Sequence, residues 1–510
     1  MPMPFTARIT RALDRLADAL TDPAHAGRTA LALLAAYVAV WALYGVIAKS
    51  SQDIHFDMGE AVIWSREAFA GNPKHPPLSA WIVRGWFSVL PQSDWAYYLL
   101  GIVLAAVALW SAWKIAGHYL TPAKRAAGVA MLTLVPFYNF HALKYNANLV
   151  MLPLWALTTW AFVRSYETRK VLPAALAGLA AAAAILGKYW SVMLLAGLAV
   201  AVLTDKRRWT YFNSPAPWVT ASVGLIALLQ HFQWLNENQS TFAYALDSHP
   251  GSIWAAIRSE ITYIAGAIAY VAVPLIITAA VVRPGWTIIS NTFWPSEPPR
   301  RFVLVAFIAP FLLPLIAALA TTSLVVSIWT IGGMTLLPIV LLSSSHVEMP
   351  RAALRRILGI VIAFPLLMLA LSPIIAMAAH RRHLENYSAY FQLVAQAVEQ
   401  EWQRDTKAPL RVVGSYNNFL LGTSFYFASP PKTFEIVTPR SSPWTTEEDI
   451  VHDGIAMVCP IDHALCMTAL DARAATAGPR VKRTTVELRR THFGIAGKPE
   501  RFTIAVIPPI

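Results

Sequence analysis

SQDIHFDMGEAVIWSREAFAGNPKHPPLSAWIVRGWFSVLPQ, residues 51–92, lies between two strongly apolar stretches, 29–48 and 96–117. It carries the carboxylates Asp57 and Glu60 and the basic run Lys74-His75-Pro76-Pro77. A short polar turn would join two membrane helices. This connection is much longer and reads as surface helices suited to a polar headgroup where lipid meets water. Asp57 and Glu60, three apart on a helix expected over 58–70, share one face. Beside a membrane a carboxylate can serve as general base, because partial desolvation raises its pKa toward the working range. Plainer readings stand next to this one. Asp57 suits an N-cap, Glu60 a capping box, and His75-Pro76-Pro77 a rigid turn.

Composition sets the wider frame. The 510 residues are 56% hydrophobic and only 14% charged, where soluble domains carry about 25% charged residues. The 19 Trp and 17 Tyr suit belts at the membrane–water boundary. A formal charge of +13 is spread over short connections and no basic domain stands apart, so no nucleic-acid partner is expected. Residues 5–20, FTARITRALDRLADAL, read as a basic amphipathic helix on the cytoplasmic face of the membrane rather than a cleaved signal.

Crossing a bilayer takes about 20 mostly apolar residues. Eleven windows qualify: 29–48, 96–117, 124–140, 148–166, 171–187, 189–204, 216–234, 261–282, 302–320, 322–343 and 355–378. Every second connection is basic, from Arg8, Arg11 and Arg15 through Lys124 and Arg125 to Arg351, Arg355 and Arg356. The positive-inside rule then puts the N-terminus in the cytoplasm and the tail beyond 380 outside. One cluster, His380-Arg381-Arg382-His383, breaks that rule. The domain plan is a cytoplasmic helix (1–27), a membrane domain (28–379) with its first outer loop at 49–95, and an outer domain (380–510).

The tail alternates strand-like runs (410–415, 433–437, 454–459, 484–490 and 501–507) with helical ones, which implies a small α/β domain with a mostly parallel sheet. The chain's two cysteines, Cys459 and Cys466, both fall there. An even count in an oxidising compartment points to a disulfide, with a reduced buried pair as the alternative. Their spacing is wrong for a metal site. No glycine-rich phosphate loop follows any strand.

On the outer side the connections gather candidates for chemistry. Lys74, His75, Lys144, Lys188, Tyr189 and Arg258 could bind a phosphate, while Asn148, Asp247 and His249 could contact a sugar or acceptor. Lys144 and Lys188 also suit snorkelling to phospholipid headgroups.

The segments FDMGEAVIWSREAFAGNPKHPPLSAWIVRGWF (56–87), KYNANLVMLPLWALTTWAFVR (144–164) and LGKYWSVMLL (186–195) resemble the GT-C glycosyltransferases of the protein mannosyltransferase and aminoarabinose transferase superfamily, glycosyltransferase families 39 and 83. That resemblance, over roughly residues 25–380, implies a polytopic α-helical membrane protein of about 11 transmembrane helices with a C-terminal extracytoplasmic α/β domain. It implies a multi-pass protein of the bacterial inner (plasma) membrane with a periplasmic C-terminal domain. Its activity would be inverting transfer of a sugar from a polyprenyl-phosphate donor to a glycan, lipid or protein acceptor, in modification of lipopolysaccharide or another envelope glycan. Asp57 matches the family's first-loop acidic residue, Glu60 the second acidic position, His75 a donor-phosphate position and Lys188-Tyr189 a lysine–aromatic pair. Where relatives often carry an acidic residue before the prolines, one that in some binds a divalent ion, this chain has Lys74; where many carry Asp, it has Asn148. An ammonium cannot ligate a cation, so no cofactor is assigned and a divalent metal stays open. A non-catalytic scaffold on the same fold, or a lipid or polysaccharide transporter, remains as the alternative.

Overall fold

The structure is a computed structural model in which residues 5–68, 70–72, 74–238, 251–382 and 387–510 are described. The chain divides into two compact units. One comprises residues 1–43, 73–79 and 98–369; the other comprises 44–72, 80–97 and 370–510.

The first unit is helical. Its amphipathic helix Phe5–Thr21 is tied to the helix Arg351–Arg381 by the ion pairs Asp14–Arg355 (3.0 Å) and Asp18–Arg351 (2.5 Å). Among the described residues five helices are long and apolar enough to cross a membrane: Ala26–Ala48, Asp94–Tyr119, Ile253–Val282, Pro298–Thr321 and Arg351–Arg381. A sixth forms only if Pro122–Leu132 and Pro136–Leu143, bent by 75°, count as one span.

The other windows of the eleven expected fall on helices that are shorter or more polar, for reasons a hydropathy window cannot register. Val171–Gly187, Tyr189–Thr204 and Ser327–Leu342 are apolar but short. The backbone breaks between them: Lys188 is extended after Gly187, and Thr322 turns left-handed (φ 52°) after Thr321. The windows 148–166 and 216–234 lie in the long helices Ala147–Thr168 and Ala216–Glu237. There, residues such as Thr158, Thr159, Gln230 and His231 interrupt the apolar run.

The second unit is built on a five-stranded sheet. The strands are β1 (Val412–Ser415), β2 (Lys432–Glu435), β3 (Ile455–Pro460), β4 (Lys482–His492) and β5 (Ile495–Ile507), in the order β2-β1-β3-β5-β4. β1 pairs in parallel with β2 and β3, whereas β5 pairs antiparallel with β3 and β4. The sheet is therefore mixed rather than mostly parallel. A two-residue turn is responsible: Phe493 and Gly494 both have positive φ (46° and 74°), the primed-turn geometry that matches strand twist and closes a hairpin. One face of the sheet packs Val413, Val458, Phe502, Ile504 and Val506 against Phe391, Val394, Val398 and Trp402 of the helix Phe391–Asp405. The other covers Val412, Phe434, Met457 and Ala505 with Cys466 and Leu470. Cys459 and Cys466 are joined, with Cα atoms 5.7 Å apart.

The 51–72 segment folds into this second unit, and its helix is not a surface helix. It runs from Phe56 to Glu67, and every residue from Met58 to Ser65 is buried. It lies against the helix Asn417–Thr423. At Gly59 a Cβ would stand 1.9 Å from the Leu421 carbonyl oxygen. Only glycine allows the two backbones so close.

Candidate active site

In the second unit the site begins with the start of the helix Phe56–Glu67. His55, not Asp57, is the N-cap: its Nδ1 accepts the Asp57 N–H at 3.1 Å. That moves the helix start upstream and puts Asp57 in the first turn, where a carboxylate also complements the helix dipole. Asp57 Oδ1 is 3.5 Å from the same Nδ1. A nitrogen that accepts the backbone N–H has no proton for that carboxylate in the neutral ring, so this contact is a hydrogen bond to Asp57 only when the imidazole is protonated. Glu60 lies two residues beyond the position that a capping box requires, and its side chain is buried. Capping explains neither carboxylate.

Farther along the helix, Arg66 points inward. Its Nε and Nη1 are buried and make no hydrogen bond among the described residues. Burial lowers the Arg66 pKa, with the neighbouring Glu67 opposing that shift, and burial raises that of Glu67. Just before the helix, Asp53 is buried against Arg490 and accepts the Gln392 N–H at 3.0 Å. Burial pushes its carboxyl up while Arg490 opposes the shift. Ile54 N–H donates to Tyr426 Oη (2.8 Å), which donates to Asp94 (2.9 Å). These contacts fix the entrance to the helix. Asp53 was invisible to pattern reading, because its partner is 437 residues away.

In the first unit a second group forms where three helical segments begin or end. Asn146 caps the helix Ala147–Thr168, its Oδ1 accepting the N–H groups of Asn148 (3.0 Å) and Leu149 (3.1 Å). The Lys188 ammonium donates to Asn148 Oδ1 and lies 5.1 Å from the centre of the Trp329 ring. Tyr189 Oη and His231 Nε2 are 2.8 Å apart. His231 is a residue the sequence reading passed over; an isolated histidine in the apolar run 216–234 was its only signal. Tyr145 is buried and donates to Ser79 O at 2.6 Å. Lys74, His75 and Lys144 are half-buried. Arg258 is exposed and makes no hydrogen bond or ion pair among the described residues. Asp247 and His249 lie outside the described residues. Among the described residues no three of His, Cys, Asp and Glu stand close enough together to hold a metal ion.

Lys188 with Asn148, and Tyr189 with His231, thus form two bonded pairs in the first unit, while the carboxylates Asp57 and Glu60 sit in the other. The family model described as dolichyl-phosphate-mannose-protein mannosyltransferase matches residues 74–234. The crystal structure of ArnT from Cupriavidus metallidurans bound to undecaprenyl phosphate superposes with a TM-score of 0.60 at 12% identity, covering 93% of this chain and 98% of that one. The chain has the GT-C fold. The same enzyme in the apo state matches with a TM-score of 0.60 at 14% identity, over 93% of this chain and 97% of that one. No curated protein matches the sequence. On the GT-C fold, the stretch matched by the mannosyltransferase family holds Lys74, His75, Lys144, Asn148, Lys188 and Tyr189. It omits Asp57, Glu60 and Arg258.

Proposed function

We propose that this multi-pass membrane protein is a glycosyltransferase that moves a sugar from a polyprenyl-phosphate donor to an acceptor hydroxyl, with inversion, at the periplasmic face of the bacterial inner membrane. The product would be a modified envelope glycan or lipid such as lipopolysaccharide. The observation that carries this reading is the bonded Lys188–Asn148 pair beneath Trp329, inside the stretch that matches the mannosyltransferase family. The GT-C fold, shared with an enzyme crystallised with undecaprenyl phosphate, supports the donor class.

The reaction is a single displacement. Asp57 takes the proton of the acceptor hydroxyl as its oxygen bonds to the anomeric carbon. The bond from that carbon to the phosphate oxygen breaks, and its electron pair leaves with polyprenyl phosphate. A phosphate is a competent leaving group, so the cations Lys74, His75, Lys144, Lys188 and Arg258 need only neutralise the growing charge. Glu60 would hold the acceptor, and Asn148 the sugar. Asp247 and His249 retain the acceptor role that the sequence suggested.

The test is transfer of radiolabelled sugar from a polyprenyl-phosphate donor by the purified, reconstituted protein. Asp57→Asn should lower turnover by at least about a hundredfold, the scale of a lost general base, with an unchanged unfolding temperature. Near-normal turnover in that variant removes Asp57 from the mechanism. Lys74 and Asn148, which replace acidic residues of the family, favour a non-catalytic scaffold as the second reading. That reading stands if the wild-type protein binds donor and transfers nothing.

A further inference from the structure

The cluster that breaks the positive-inside pattern, His380-Arg381-Arg382, closes the long apolar helix Arg351–Arg381. Within the second unit these residues line a cavity of about 110 Å³ together with Arg490, Lys498 and Tyr390. Among the described residues no carboxylate contributes to the lining. Two elements far apart in sequence supply the charge, the helix end and the β4–β5 hairpin. His380 Nε2 and the Ile495 carbonyl, 2.9 Å apart, hold them together. Gly497 makes the approach feasible: a Cβ there would stand 3.0 Å from His380 Cε1.

We propose that this cavity binds the phosphate of an anionic lipid headgroup. Arginine at the end of a membrane helix has an ordinary explanation, since it snorkels and complements the C-terminal dipole. That accounts for Arg381 and Arg382 one at a time, but not for their meeting, in one cavity, Arg490 and Lys498 from a hairpin more than a hundred residues later. The surrounding acids are spoken for. Asp53 bonds Arg490, and Glu500 lies 2.9 Å from Lys498. Arg381 and Arg382 are exposed and have no ion pair among the described residues, so they add further positive charge. Guanidinium forks suit phosphate oxygens geometrically as well as electrically. Lipid is favoured over free phosphate because the 31-residue helix exceeds the roughly 20 residues needed to cross the bilayer. Its end therefore comes out at headgroup depth.

Three compounds are titrated against the purified full-length protein in neutral detergent, with binding read by thermal shift and thermophoresis: dihexanoyl phosphatidic acid, dihexanoyl phosphatidylcholine and inorganic phosphate. Phosphatidic acid should bind saturably and about tenfold more tightly than phosphatidylcholine. Arg381→Gln and, separately, Lys498→Gln should each weaken it by about tenfold, as expected for losing one charge-assisted contact. Arg381 is exposed, so its variant should keep the unliganded unfolding temperature, whereas Lys498→Gln removes the ion pair with Glu500 and should lower it. Equal binding of the two lipids, or phosphatidic acid binding that neither variant alters, overturns the proposal. Binding of inorganic phosphate with the same affinity and variant sensitivity overturns its lipid assignment. No sugar donor is present, so the outcome is separate from the success or failure of the transferase reading.

Discussion

Arg66 places two guanidinium nitrogens, Nε and Nη1, beyond the reach of solvent and of any acceptor among the described residues. Such a cation costs folding energy, because those nitrogens meet neither water nor an acceptor and the nearby Glu67 charge offsets burial only in part. A charge retained at that cost, nearly two turns from Glu60 and in the same helix as Asp57, is more useful for a ligand than for the fold. Arg66→Met keeps the length and removes the charge, so scanning fluorimetry should show an unfolding temperature equal to or above wild type. Sugar transfer by the same variant should fall by at least about tenfold, the value of one charged hydrogen bond. A drop of several degrees with transfer intact would mean that Arg66 is part of the scaffold. At this scale the sequence was informative about identity and silent about surroundings. Asp57, Glu60 and Arg66 all stand out in the 51–92 stretch as charges between apolar spans. Nothing in their spacing revealed that His55 is the cap, that Glu60 is buried, or that Arg66 holds two nitrogens away from any acceptor among the described residues.

Among the elements, what was legible was local. The helix Glu447–Asp453 opens with a capping box in which Thr446 and Asp449 bond reciprocally, and a run near 445–452 was recognisable as helical. The Thr446 N–H, assisted by Lys432 at 3.0 Å, lowers the Asp449 pKa from its ordinary 3.8 to about 2. A carboxylate depressed on folding adds stability above its unfolded pKa and loses it as the pH falls through the folded value. The full chain should therefore lose thermal stability between about pH 4 and pH 2. Asp449→Asn should be less stable at pH 6 and should flatten that acid limb; an unchanged slope would show that the cap does not contribute to it. Turns and breaks were harder to read. The Phe493-Gly494 turn reverses one strand and changes a parallel sheet into a mixed one, though only two residues encode it. Breaks inside the apolar windows were equally hard to read. Hydropathy averages over the extended Lys188 and the left-handed Thr322, and those two residues separate short helices from spans.

For the whole molecule, the fold class was legible because apolar content and strand–helix alternation are summed over many residues. The contacts that hold the 51–72 segment in place were not, because they join residues hundreds of positions apart. Gly59 against Leu421, Tyr426 between Ile54 and Asp94, and Asp53 against Arg490 all have this character. The last of these is the most testable. Asp53 is 1% exposed and Arg490 18%, so removing either leaves a poorly solvated charge behind. Asp53→Leu and Arg490→Met should each destabilise the protein by about 3–5 kcal/mol, because breaking a buried pair strands its partner. The double variant Asp53→Leu/Arg490→Met removes both charges and should recover most of that loss, since apolar replacement of a whole pair is often neutral or better. Unfolding temperatures at one fixed scan rate suit a membrane protein whose denaturation is irreversible. A double variant as unstable as the sum of the two singles would show that these side chains act separately. In that case the helix carrying Asp57 and Glu60 must be held chiefly by the Gly59–Leu421 contact and the Tyr426 hydrogen bonds.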